Sequence, residues 1–126
     1  MIGNSHLREL FECPREDAGL NQLLELLAFK DTAFIDGLVR EPVDLDLCSD
    51  EEIRFLTKAS ALIDYYLQRH GIEVPGWLRD TRLCFDEPYY HPKRLSDFDR
   101  FRLTFKSPGP FKRRNVFFDL DGIGRV

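Results

Sequence analysis

SDEEIRFLTKASALIDYYLQRHGIEVPGWLR, residues 49–79, is the stretch whose reading decides the fold. Ser49 followed three residues later by Glu52 forms a capping box. The Ser hydroxyl can accept an orphan N–H of the first turn while the Glu reaches back to the cap. Asp50, Glu51 and Glu52 add negative charge at the positive end of the helix dipole. Ile53, Leu56, Ala59, Leu62, Ile63, Tyr66 and Leu67 recur at three- and four-residue steps and form one apolar stripe. Arg69 and His70 suit the last turn, and Gly71 is the expected left-handed residue beyond it. Ile72, Val74 and Pro75 then run extended and return Trp77, the single tryptophan, toward the end of the helix. The spacing predicts a long helix buried along its stripe, with the other elements packed around it.

Toward the N-terminus, Asn4 or Ser5 can cap a short helix carrying Leu7, Leu10 and Phe11 that must end before Pro14. Asp17 opens a second helix with Leu20, Leu23, Leu24 and Leu27 on one face and Phe29 as a further candidate for it, and Asp31 or Thr32 starts a third with Phe34, Ile35, Leu38 and Val39. Pro42 stops it. Val43 to Cys48 alternates apolar and acidic residues, which permits a short strand and predicts an extended connector into the Ser49 cap. Toward the C-terminus, Thr81 to Phe85 reads as a short strand or a helical turn. Tyr89-Tyr90-His91-Pro92 reads as a loop with two aromatic rings. Ser96 and Asp99 open a further helix, on which Phe98, Phe101 and Phe105 share one face and are expected to enter the core. Ser107-Pro108 can cap one more short turn through Phe111 and Arg113, and Val116-Phe117-Phe118 is a short apolar run. No repeat or linker divides the chain. The expectation is a mainly α single domain over residues 1–126, with five or six helices and an irregular or short-strand C-terminal part.

With 126 residues, the chain suffices for one hydrophobic core. A hydrophobic share of 43% with 32% charged residues places it among soluble globular proteins. No window approaches the roughly 18–20 apolar residues that cross a bilayer, and the first residues lack the apolar core of a secretory signal. The expected setting is the cytoplasm, away from membranes. Cys13, Cys48 and Cys84 are odd in number and widely spaced, so they predict reduced, mostly buried thiols and neither a disulfide framework nor a zinc site. The net charge of −4 is unevenly distributed. Residues 1–64 hold six Lys/Arg against fourteen Asp/Glu, whereas residues 65–126 hold twelve against eight. Either the acidic half packs beside the basic half, or a basic surface is left for an acidic partner.

Motifs that would carry chemistry are few. Two helices with a short break between Asp17 and Arg40 suggest a helix-turn-helix, yet the second holds Asp31, Asp36 and Glu41, the wrong charge for phosphate. VFFDLDGIGRV, residues 116–126, resembles the first motif of haloacid-dehalogenase-type phosphatases, which implies Asp119 as nucleophile and Asp121 as acid/base. Ile123 stands where that family has threonine and only five residues follow Asp121, so the match is expected to be accidental. His6, His70 and His91 are scattered and show no metal-ligand spacing with Cys84; a nucleophile pair of Cys84 with His70 or His91 has no local signature. No catalytic residue, metal or cofactor is assigned. Phe98 to Phe118 interleaves Phe with Arg100, Arg102, Lys106, Lys112, Arg113 and Arg114, a composition that can stack bases and contact phosphates.

The runs RHGIEVPGWLRD, EPYYHP and KSPGPFKRRNVFFD resemble the C-terminal segment of small uncharacterised bacterial proteins that combine an R-H-G-x-x-x-P-x-W element, an aromatic pair after Pro, and S-P-x-x-F-K/R-R-R-x-V/I-F. The matching positions are Arg69, His70, Gly71, Pro75, Trp77, Pro88, Tyr89, Tyr90, Ser107, Pro108, Phe111, Arg113, Arg114 and Phe117. The resemblance spans about half the chain, from Tyr66 onward; Pro110 departs from the small residue expected there. Some of those proteins carry a preceding helix-turn-helix regulator domain. They are often taken to be antitoxin-like partners of nucleotidyltransferase-type toxins. The resemblance implies a bacterial, non-enzymatic protein that binds a protein partner, with a toxin encoded nearby as the candidate. The expected function is a protein–protein interaction or regulatory module, antitoxin-like, whose partner surface comprises Phe111, Lys112, Arg113 and Arg114. Three consecutive cations cannot all be buried unpaired, so at least two must reach solvent or carboxylates. Arginine also suits bidentate recognition of carboxylates. The alternatives are a nucleic-acid-binding protein using the basic aromatic stretch, and then a small enzyme. Oligomeric state is left open.

Overall fold

The computed structural model describes residues 3–12, 18–91 and 95–118. Along these the elements run α1 (Ser5–Phe11), α2 (Ala18–Phe29), α3 (Thr32–Leu38), α4 (Asp50–Arg69), β1 (Tyr89–His91), α5 (Asp97–Lys106), α6 (Gly109–Arg114) and β2 (Val116–Phe118), with 3₁₀ turns at Leu45–Leu47 and Gly76–Arg79. The mainly helical class, the six helices and the short-strand C-terminal part agree with the expectation. Asp119 and Asp121 of the phosphatase-like motif, Cys13, and Asp17 as the proposed start of α2 lie outside the described residues.

Helix α4 is the central element. Ser49 Oγ accepts from the Glu52 N–H at 3.2 Å and Glu52 Oε1 accepts from the Ser49 N–H at 3.0 Å, so the capping box forms as predicted. At the other end Gly71 has φ +69°, with Ile72 N–H on Leu67 O and Gly71 N–H on Gln68 O, the double bond of a left-handed helix stop. Between Leu56 and Leu67 every residue except Lys58 and Tyr65 is buried. The predicted stripe is therefore one side of a helix covered almost all round, by α2, α3, α6 and β2.

α1 lies against α2, where Gly19 presses so closely on the Leu10 carbonyl that a side chain there would overlap it. Asn4 caps α1 by accepting from the Leu7 N–H and donates to the Leu38 and Glu41 carbonyls, which ties α1 to the end of α3. Trp77 packs on the core, half-buried, and its Nε1 donates to Val39 O at 3.0 Å. That fixes the return predicted from the extended run after α4.

Four expectations are corrected. Val43–Cys48 contains a 3₁₀ turn in place of an extended connector, because the Asp44 carboxylate accepts from the Asp46 N–H and curls the chain. Tyr89–His91 is a strand, not a loop: it pairs in parallel with β2 in the register Tyr89↔Val116, Tyr90↔Phe117 and His91↔Phe118. The crossover between these strands is α5 and α6. Cys84 is exposed and Cys48 half-buried. Finally, Phe98, Phe101 and Phe105 do not enter the core; they are 73%, 69% and 72% exposed. Leu103, on the opposite side of α5, is the residue that turns inward.

Candidate functional site

The cationic triplet sits at the end of α6, where Lys112, Arg113 and Arg114 complement the negative pole of that helix. Helical geometry sends successive side chains in different directions, so the three cannot share a destination. Phe111 is fully buried against Tyr65 and Phe118, with ring centroids at 5.3 and 5.5 Å. Arg114 is also buried, with only 1% of its side chain exposed. Lys112 is exposed, and Arg113 keeps 46% of its side chain in solvent. Of the four residues expected to form a partner surface, Lys112 and Arg113 are therefore at the surface. Phe111 and Arg114 anchor it from below.

The anchor is Asp64 of α4, a carboxylate with no exposed side-chain area. Arg114 Nη2 donates to its Oδ2 at 2.8 Å and to Leu78 O at 2.7 Å, while Nη1 donates to Pro110 O at 2.8 Å. Arg79, at the end of the second 3₁₀ turn, grips Asp64 with two donors, Nε on Oδ2 at 3.1 Å and Nη2 on Oδ1 at 3.0 Å. Arg113 Nη1 reaches Oδ2 at a longer 3.4 Å, and Gln68 Nε2 donates to Oδ1 at 2.8 Å. One carboxylate thus holds three guanidiniums, two of which, Arg79 and Arg113, remain 39% and 46% exposed.

Burial pushes the Asp64 carboxyl upward. The hydrogen bonds from Arg79 and Arg114, together with the Arg114 charge, outweigh it and hold the group below the usual aspartate value. Burial draws the Arg114 guanidinium down from its ordinary value, against the pull of Asp64, but a guanidinium stays charged at any physiological pH. The cluster therefore carries two positive charges in excess of its one carboxylate. Arg79, pushed up by its hydrogen bonds to Asp64, and Arg113 bring that excess to the surface beside Lys112. The fixed guanidinium forks suit a carboxylate- or phosphate-bearing ligand.

Sequence reasoning missed Asp64, Gln68 and Arg79. A signal existed: Asp64 interrupts the apolar stripe between Ile63 and Tyr66, and a charge at a core position requires a partner. Its identity was not readable, since Arg114 lies 50 residues downstream.

Cys84 lines an open cleft of about 570 Å³ at the start of α4, walled by Asp50, Arg54, Asp86, Glu87 and Tyr89 among others. No histidine is among the described residues lining it. His70 instead caps α4, its ring 4.4 Å from Tyr66. The aromatic floor of the cleft is already taken: Arg54 lies over Phe85 at 5.2 Å and Lys58 over Tyr89 at 4.2 Å. Among the described residues no helix is long and apolar enough to cross a membrane. Comparison with protein-family models, curated proteins and solved structures finds no match to this chain.

Proposed function

We propose that this chain is a non-enzymatic protein–protein interaction module that offers a preset positive surface, Arg79, Lys112 and Arg113, to an acidic partner. The single observation that carries this reading is the charge excess at Asp64: three arginines on one buried carboxylate, two with their outer edges in solvent. Holding a guanidinium in place before binding lowers the ordering cost of association. The resemblance to antitoxin-like proteins adds a candidate class of partner, a nucleotidyltransferase-type toxin, and with it a regulatory role. Phosphate chemistry suits the same forks, so nucleic acid is the second reading; the acidic net charge of the chain disfavours it.

The test pairs Lys112→Ala/Arg113→Ala with wild type in a pull-down from the native host, with captured proteins identified by mass spectrometry. Arg113 makes a long, half-exposed ion pair, so the variant should stay within about 1 kcal/mol of wild-type stability. One protein with an acidic contact surface should be recovered with wild type and lost with the variant. Recovery unchanged in the variant would sink the proposal. So would tight binding of single-stranded or duplex nucleic acid that persists as salt rises from about 50 to about 200 mM and is lost in the variant.

A further inference from the structure

Helix α5 presents an apolar face that nothing among the described residues covers. Phe98, Phe101 and Phe105 follow at steps of three and four, so they line one side of the helix for two turns. Phe101 and Phe105 lie nearly parallel, 15° apart with centroids at 6.2 Å, and make a flat pair. The helix is fixed in this orientation. Leu103 is buried on the far side, Thr104 Oγ1 and Tyr90 Oη share a hydrogen bond at 2.8 Å, Arg100 lies over the Tyr90 ring at 5.5 Å, and Ser96 caps the first turn. Rolling the phenylalanines inward would break the first three of these contacts.

The charges beside the rings indicate what fits there. Asp97 and Asp99 occupy the first turn and Lys106 the last. Asp99, Arg102 and Lys106 also follow at steps of three and four, which places them along one edge of the aromatic face. When two such faces meet about a two-fold axis with the helices antiparallel, each edge meets the same edge reversed. Asp99 of one copy then approaches Lys106 of the other, Phe98 lies over Phe105, and Phe101 sits near the axis; Arg102 meets its own copy there, so its stem packs while its charged head turns out to solvent. A parallel two-fold would instead set this edge against the opposite edge of the helix and lose the Asp99–Lys106 match. Antiparallel pairing also sets opposite helix poles side by side. Lys106 makes no ion pair among the described residues, whereas Asp99 pairs with its neighbour Arg102 at 3.4 Å and accepts from Ser96 Oγ at 3.0 Å.

We propose that the phenylalanine face of α5 is a self-association surface on which a second copy of this chain docks, α5 against α5, antiparallel and two-fold symmetric. Such an isologous contact needs only a self-complementary patch, which this edge and these rings provide. Three rings at about seven-tenths exposure amount to about 400 Å² per copy. A standard interface takes about 800 Å² from each partner, and the stems of Arg102 and Lys106 add to the rings without reaching much beyond it. The dimer is therefore weak, with a dissociation constant in the micromolar range. This surface is separate from the arginine cluster, and the two proposals stand independently.

Sedimentation equilibrium on the full chain at increasing concentration tests it. Wild type should move from monomer to dimer, whereas Phe101→Asp should stay monomeric with an unchanged thermal midpoint, because it replaces an exposed ring. Amide shifts that move with concentration should cluster within residues 97–106. The orientation is read by a spin label at Lys106→Cys, the native cysteines replaced by serine, mixed with isotope-labelled wild type. Broadening should centre on Asp97 to Asp99 of the labelled copy. Wild type that stays monomeric throughout, or a dimer that survives Phe101→Asp, overturns the proposal. Broadening centred on Thr104 to Lys106 overturns the antiparallel pairing. Binding of a single-stranded oligonucleotide by monomeric wild type, lost in Phe101→Asp, would assign the face to base stacking instead.

Discussion

Asp64 shows how one residue can decide what its neighbours are free to do. Its carboxylate is buried on α4, and removing its charge leaves Arg114 buried without a counterion. Asp64→Asn should therefore lose about 3–5 kcal/mol in urea unfolding at neutral pH, as should Arg114→Ala. Arg113→Ala, whose pair is half-exposed, should lose less than about 1 kcal/mol. A reversed order would mean that Arg113 is the structural partner. Because the Asp64 carboxyl is held below its unfolded value, its contribution is complete above about pH 4–5 and falls away as pH drops through the folded value. The wild-type advantage over Asp64→Asn should accordingly shrink as unfolding is measured from pH 5 down to about pH 2. A constant difference would remove Asp64 as its source. The triplet itself was legible in sequence, as was the need for at least two of its members to find solvent or carboxylates. Which arginine would be buried was not, because that depends on the angle at which α6 meets α4.

Among the elements, α4 was read almost completely, since its cap, its stripe and its stop are local signals. Ser49→Ala should cost about 1 kcal/mol by removing the capping hydroxyl. Leu62→Ala, at a site with 1% exposure, should cost about 2–5 kcal/mol in the same denaturant titration. A loss below about half a kilocalorie for Leu62→Ala would place that residue outside the core. At α5 the same reading failed, for a physical reason. Periodic phenylalanines define a face, yet the side that turns inward was chosen by Leu103 and by the Tyr90 contacts, which belong to another part of the chain. β1 was missed likewise: a three-residue strand has almost no pattern of its own, and its partner begins 27 positions later in register. Gly19 gave no warning either, although its closeness to the Leu10 carbonyl sets how near α1 approaches α2. Gly19→Ala should force the two helices apart and lower the unfolding midpoint, whereas alanine at the unobstructed Gly37 should not.

Over the whole molecule, the charge asymmetry seen in sequence is partly folded away. Asp64 of the acidic half takes Arg79, Arg113 and Arg114 of the basic half, and Asp46 pairs with Arg82. The last described elements complete the core: Phe111, Val116, Phe117 and Phe118 are all buried. A fragment of residues 1–106 should keep helical far-UV circular dichroism and lose the near-UV signal of fixed aromatic packing. A cooperative, sharp transition in that fragment would show that α6 and β2 are dispensable. The same long-range pairing has a consequence for the chain as it is made. Arg113 and Arg114 are polymerised 49 and 50 residues after Asp64, an interval of about 3–10 s at ordinary elongation speeds. Throughout that interval Asp64 has only Arg79, 15 residues after it, of the three arginines that will hold it. Stable closure around α4 therefore waits until α6 leaves the ribosome, and a bound chaperone would have its longest opportunity on this protein before then.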